Sequence, residues 1–138
     1  MNLSAEELRA VVEARLEKAA RAYGEAKGVA AMGYWETAAN RLYYAAFDAV
    51  SALLLANGDA THTHSGVIHL FGLQFIKSGL VPADMGRLYH VLFSLRQTGD
   101  YDDAYAVSES DVSPNIEPAG RLIEHVTALA RQRLSARI

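Results

Sequence analysis

Five histidines, His62, His64, His69, His90 and His125, and the segment Arg96-Gln97-Thr98-Gly99-Asp100-Tyr101 hold most of the groups in this chain that could do chemistry. The pair His62-x-His64 has no carboxylate at helical spacing, no HExxH arrangement and no cysteine partner, so no metal site and no cofactor are expected from it. His64 falls where a helix should begin. The positive end of a helix macrodipole disfavours imidazolium, which leaves a neutral ring able to accept a proton near pH 7. Arg96 leaves an apolar helical turn and meets an acidic loop containing Tyr101. A guanidinium in such a place can bind phosphate bidentately. It can equally form an i,i+4 pair with Asp100, worth about 0.3–0.5 kcal/mol on an exposed helix surface. Both readings stand on the residues alone. The sequence has no GxSxG, no phosphate-binding glycine loop, no dinucleotide fingerprint and no paired carboxylates on a shared face, which leaves the common hydrolase and nucleotide-fold chemistries without support.

The elements that must position these groups read as helices. Alanine is abundant and no period-2 alternation of β-branched residues occurs, so the period to seek is 3.6. A first helix starts at Ser4, which forms a capping-box pattern with Glu7, and runs to about Lys27, burying Leu8, Val12, Leu16, Ala19 and Tyr23. Glu13, Glu17 and Arg21 read as its solvated face. After the small, flexible stretch Gly28 to Gly33, a second helix spans Tyr34 to Ala56 and stops at Asn57-Gly58. It is apolar nearly all round, as a central helix is. Its exceptions, Asn40, Tyr44, Asp48 and Ser51, form one narrow line, either hydrogen bonds between packed helices or the polar wall of a cleft. Thr61 or Thr63 caps a third helix reaching Lys77. A fourth runs from Pro82 to about Gly99 with the stripe Leu88, Val91, Leu92 and Leu95. Residues 96–117 read as an acidic connector, and a last helix begins between Pro114 and Pro118.

The expected architecture is therefore all-α, an up-and-down bundle of about five helices in a single domain over residues 1–138. Composition agrees: 51% of residues are hydrophobic and 21% charged, with 3 prolines, enough apolar surface for one packed core. The net charge of -3 argues against a uniformly basic nucleic-acid coat, so a site for polyanions must be local. With no cysteines, no signal-peptide pattern and no apolar run near the roughly 20 residues of a membrane span, a cytoplasmic protein without a membrane segment is expected.

The string Asn40-Arg41-Leu42-Tyr43-Tyr44-Ala45-Ala46-Phe47-Asp48-Ala49, followed by Ala52-Leu53-Leu54-Leu55 and Gly58, resembles the second helix of HEPN-domain proteins of the UPF0332 type. Thr63-His64-Ser65-Gly66-Val67, Phe71 with Phe75, Gly79-Leu80 and Leu95 to Tyr101 are similar to later segments of that family in the same order. The likeness spans about Glu6 to Arg131. It implies a helical bundle, a homodimer, and an encoded partner, a minimal nucleotidyltransferase, in a toxin–antitoxin-like pair. Many members are metal-independent endoribonucleases in which an arginine, followed four to six residues later by histidine, forms the catalytic pair across two copies. Here Arg96 matches, but Tyr101 and Asp102 stand where the histidine belongs. A phenol with a pKa near 10 is a poor base at pH 7, and an imidazole near 6.5 is a good one.

Three functions follow as expectations. In the first, a cleft of Arg96, Asn40, Tyr44, Asp100 and Tyr101 binds RNA phosphate or a nucleotide, and the protein partners a nucleotidyltransferase. In the second, Arg96 with His64 or Tyr101 cleaves RNA across a dimer. In the third, Tyr101 or Tyr105 is a hydroxyl that the partner modifies.

Overall fold

The structure is a computed structural model that describes residues 3–59, 63–101 and 106–137. Every regular element among them is helical: α1 (Ala5–Ala31), α2 (Trp35–Ala56), α3 (His64–Phe71, running on into a π-helical turn, Gly72–Ile76), α4 (Ala83–Tyr101) and α5 (Glu109–Arg137). The five-helix, all-α expectation holds. Thr61, His62, Asp102, Asp103 and Tyr105 lie outside the described residues.

At the start of α1 the capping box forms in both directions, Glu7 N–H donating to Ser4 Oγ and Ser4 N–H to the Glu7 carboxylate, each at 3.1 Å. The helix runs past the expected end at Lys27. Gly28, the second interior glycine after Gly24, costs about 1 kcal/mol relative to alanine, which does not stop a helix whose next turn buries Ala30. The reversal is made at Gly33, whose φ of 84° is open to glycine. The buried row on α1 is Val12, Leu16, Ala19, Ala22, Ala26 and Ala30, with Leu8 and Tyr23 at its margin. Four small side chains in that row let α1 lie close against α2. The face read as solvated is not wholly so, since Glu13 pairs with Arg131 of α5 at 3.1 Å.

Helix α2 is the centre of the bundle and packs against α1, α3, α4 and α5. Trp35 sits half-buried at its start. Thr63 caps α3, its Oγ1 accepting from Gly66 N–H at 2.9 Å. Along α4 the buried line is Gly86, Tyr89 and Leu92; of the expected stripe Leu92 is buried, Leu88 and Leu95 pack partly buried against the core, and Val91 is exposed. The rotation arises because Gly86 lets Ile76 approach and Tyr89 enters the core against Phe71 and Tyr43. Continued by one turn, the same line brings Arg96 to the bundle interior.

Helix α5 begins earlier than expected. Ser108 caps it, with its N–H and Oγ both bonded to the Asp111 carboxylate, and Val112 is buried in its first turns. Glu109 and Asp111 lie where the helix dipole favours negative charge, so Pro114 and Pro118 fall inside the helix. The acidic connector accordingly resolves into helix ends: Asp100 belongs to α4, and Glu109, Asp111 and Glu117 to α5. Among the described residues no helix is long and apolar enough to cross a membrane.

Candidate functional site

Arg96 is the hub of the polar groups between α2 and α4. Its side chain is only 13% exposed. Nη2 donates to the hydroxyl of Tyr44 at 2.9 Å and to that of Tyr101 at 3.1 Å. Its Nε lies 3.0 Å from Asp100 Oδ2, as the i,i+4 spacing allows, but the carboxylate sits off the N–H axis and Nε makes no hydrogen bond. Among the described residues Nη1 has no acceptor either. A guanidinium carries five N–H donors, so among the described residues this one keeps donors free while most of its surface is out of water.

The carboxylate of Asp100 is also held by Asn40, whose Nδ2 donates to Oδ2 at 3.0 Å. Asn40 Oδ1 in turn accepts from Arg41 Nε and Nη2 at 3.1 and 2.9 Å. Two guanidiniums thus flank one aromatic ring: Arg96 lies 5.3 Å and Arg41 5.5 Å from the centroid of Tyr44. Cation–π attraction and the hydrogen bonds fix both cations in place. Two positive charges on a short arc can receive an anion with several oxygens, such as phosphate, in competition with the Asp100 carboxylate beside Arg96 and Glu25 beside Arg41.

His64, the first residue of α3, completes the cluster. Its Nδ1 is hydrogen-bonded to the Tyr43 hydroxyl at 2.5 Å, and its ring stacks on Phe47 at 4.4 Å and meets Tyr44 edge-on at 5.9 Å. Burial, and after it the charge of Arg96, hold the imidazole below its ordinary pKa. The predicted direction holds, although desolvation and a neighbouring cation produce it. Burial pushes the Tyr43 hydroxyl up to about 12, so at neutral pH it remains a phenol, which donates to Nδ1 or accepts from Nδ1–H according to the ring's tautomer. With the ring proton on Nδ1 and donated to the Tyr43 oxygen, Nε2 is left as an open acceptor; with Tyr43 as the donor, the proton lies on Nε2.

The HEPN domain profile matches residues 12–129. The chain belongs to the HEPN-domain family. Among curated HEPN relatives, a UPF0332 protein of Thermotoga maritima is 40% identical over 93 residues, 67% of this chain and 70% of the relative. The protein named "Putative toxin MJ0142" of Methanocaldococcus jannaschii is 29% identical over 100 residues, 72% and 68% of the two chains. A crystal structure of TT1696 from Thermus thermophilus superposes with a TM-score of 0.67 over 88% of this chain and 97% of the other, at 23% identity, and so shares its fold.

In this HEPN chain the structure gathers all six residues expected at the site. Arg96, Tyr44, Tyr101, Asp100 and Asn40 are joined by direct contacts, and His64 joins them through Tyr43 and the ring of Tyr44. The polar line of α2 divides: Asn40 and Tyr44 face the Arg96 cluster, and Asp48 lines a separate cleft toward α1. Three contributors escaped the reading of the residues. Tyr43 hid among core apolar positions and Phe47 among aromatic ones. Arg41 had a usable signal, for it is the sole cation in the sequence of α2. Among the described residues no group of three or more histidine or acidic side chains is placed to hold a metal ion.

Proposed function

We propose that this HEPN protein binds RNA phosphate or a nucleotide at the Arg96 cluster and acts, as a homodimer in the cytoplasm, with a minimal nucleotidyltransferase in a toxin–antitoxin-like pair. The observation that carries this reading is the guanidinium of Arg96, clamped by two tyrosine hydroxyls with hydrogen-bond donors that no described residue takes up. A fixed cation with free donors loses little entropy on meeting a phosphate. The toxin names of two archaeal relatives support the biological setting, as does the resemblance of the motifs. Tyr101, 67% exposed with its hydroxyl on Arg96, is placed for an incoming strand or for modification by the partner.

One observation favours a second reading, metal-independent endoribonuclease activity. His64 is a neutral imidazole beside the cluster, supplying the proton acceptor that Tyr101 cannot. In that reaction Nε2 of the Nδ1–H tautomer of His64 takes the 2′-hydroxyl proton, the 2′-oxygen attacks phosphorus, the bond to the 5′-oxygen breaks to leave a 2′,3′-cyclic phosphate, the imidazolium returns its proton to the departing 5′-oxygen, and Arg96 stabilises the charge on the phosphorane oxygens. Incubation of the purified protein with a labelled single-stranded RNA in EDTA separates the two. Retention of intact RNA is expected of the binding function, and cleavage that is lost in His64→Ala is expected of the nuclease. Failure to retain or cleave RNA, and to bind any mononucleotide, overturns both.

A further inference from the structure

A second polar cleft lies between α1 and α2, on the far side of Tyr44 from Arg96. Its volume is about 340 Å³, within the range of small-ligand sites. Lys18, Arg21 and Glu25 line it from α1, and Arg41, Tyr44 and Asp48 from α2, over a floor at Ala22. Each set repeats at helical spacing, so two facing stripes form the walls. Ala22 provides the depth, since a larger side chain there would fill the cleft.

The groups in this cleft are incompletely paired. Glu25 spans it to Arg41 at 3.5 Å. Among the described residues Lys18 and Arg21 form no salt bridge. Asp48 is 9% exposed and accepts no hydrogen bond among those residues. Its carboxylate oxygens are not themselves sealed off and open toward the cleft. Among the described residues the cleft therefore presents two cations without a salt bridge and two carboxylate oxygens without a hydrogen-bond donor within one small volume, with Lys18 attracting Asp48 at longer range.

We propose that this cleft is a nucleotide subsite in which Asp48 receives the paired N1–H and N2–H donors of a guanine base and Lys18 with Arg21 receives the phosphate. An ionised carboxylate is acceptor-only with two oxygens, and guanine alone among the four bases offers two adjacent N–H donors on its Watson–Crick edge. Tyr44 and Arg41 border both this cleft and the Arg96 cluster, so a strand whose phosphate lies on Arg96 has its neighbouring base within reach of the cleft. That placement along a strand rests on the phosphate-binding reading of Arg96; the binding of a free nucleotide does not.

The test is calorimetric titration of the full chain with guanosine, inosine and adenosine 5′-monophosphates. Guanosine monophosphate is expected to bind most tightly, inosine monophosphate less so for want of N2, and adenosine monophosphate least. Asp48→Asn keeps the shape but replaces one acceptor with a donor, and should weaken guanosine monophosphate at least about tenfold, as loss of a charge-assisted hydrogen bond does. Lys18→Ala, at an exposed position, should weaken all three and reduce their salt dependence. In an Arg96→Ala background, where a nucleotide held by the Arg96 cluster is lost, the preference for guanosine over adenosine monophosphate and its loss in Asp48→Asn should persist, which separates failure of this subsite from failure of the Arg96 reading. Equal affinity for the guanosine and adenosine nucleotides, no binding of any, or no effect of Asp48→Asn in a protein with unchanged circular dichroism would overturn the assignment.

Discussion

Arg96 on α4 donates through Nη2 to the hydroxyl of Tyr44 on α2, 2.9 Å away and 52 residues earlier in the chain. This bond ties the central helix to the one that carries the acidic end of the site. Tyr44→Phe removes the acceptor and leaves a mostly buried guanidinium with one bond fewer. Urea unfolding should show a loss of about 1.5–3 kcal/mol, the range for a hydrogen bond to a charged group. An unchanged midpoint would mean that Arg96 is held by Tyr101 and Asp100 alone.

His64 supplies a prediction in pH. Its folded pKa is lowered below the ordinary 6.5 by burial first and by Arg96 second. A lowered histidine contributes stability that is present above 6.5 and is lost as pH falls through the folded value. The His64 Cε1–H resonance should titrate with a midpoint under 6.5, and Arg96→Ala should move that midpoint upward. A midpoint at or above 6.5 in the wild type contradicts the placement of this ring.

Asp48 behaves in the opposite sense. Burial raises its pKa above the ordinary 3.8, against the opposing pull of Lys18, Arg41 and Arg15. Its contribution to stability is fully present below 3.8 and is lost as pH rises through the raised value. Asp48→Asn should therefore melt higher than wild type at pH 7, with the advantage shrinking toward pH 4. Scanning calorimetry at both pH values checks this, and a destabilised variant at pH 7 would show that the carboxylate has a partner.

At the junction of α1 with α5, Tyr23 donates to the carbonyl of Ile116 at 2.8 Å, and a Cβ added at Gly120 would stand 2.5 Å from the Tyr23 oxygen. Gly120→Ala must displace that ring. Overpacking of this kind costs about 1–3 kcal/mol, more than the helix propensity of alanine returns. A thermal melt of Gly120→Ala above that of wild type would show that Tyr23 moves aside freely.

The fold was legible in the sequence wherever a local rule governed it. The Ser4–Glu7 box, the Thr63 cap and the all-round apolar character of α2 each depend on residues within a few positions of one another. What failed depended on distant partners. The buried side of α4 turns on Gly86 accommodating Ile76 and on Tyr89 entering the core, which no periodicity in α4 reveals. The start of α5 was misplaced because two prolines inside a helix argue against it locally, and the cap at Ser108 with burial of Val112 outweighs them. At the site, Arg96, Asp100 and Tyr101 were visible as a short segment, and Asn40 and Tyr44 as polar breaks in an apolar helix. The roles of Tyr43 and Arg41 were not, because a core-like tyrosine and a lone arginine acquire meaning only from what faces them.

The central claim is that Arg96 serves phosphate and does more than brace α4. It is tested most directly by the affinity of a short single-stranded RNA for wild type and Arg96→Ala at one fixed ionic strength, with a thermal melt of both proteins under the same conditions. The expected result is loss of RNA affinity by at least about tenfold, as removal of a charge-assisted contact gives, with helical content retained. Unchanged affinity together with a lowered melting temperature would contradict the account and leave Arg96 as a structural pin between α2 and α4.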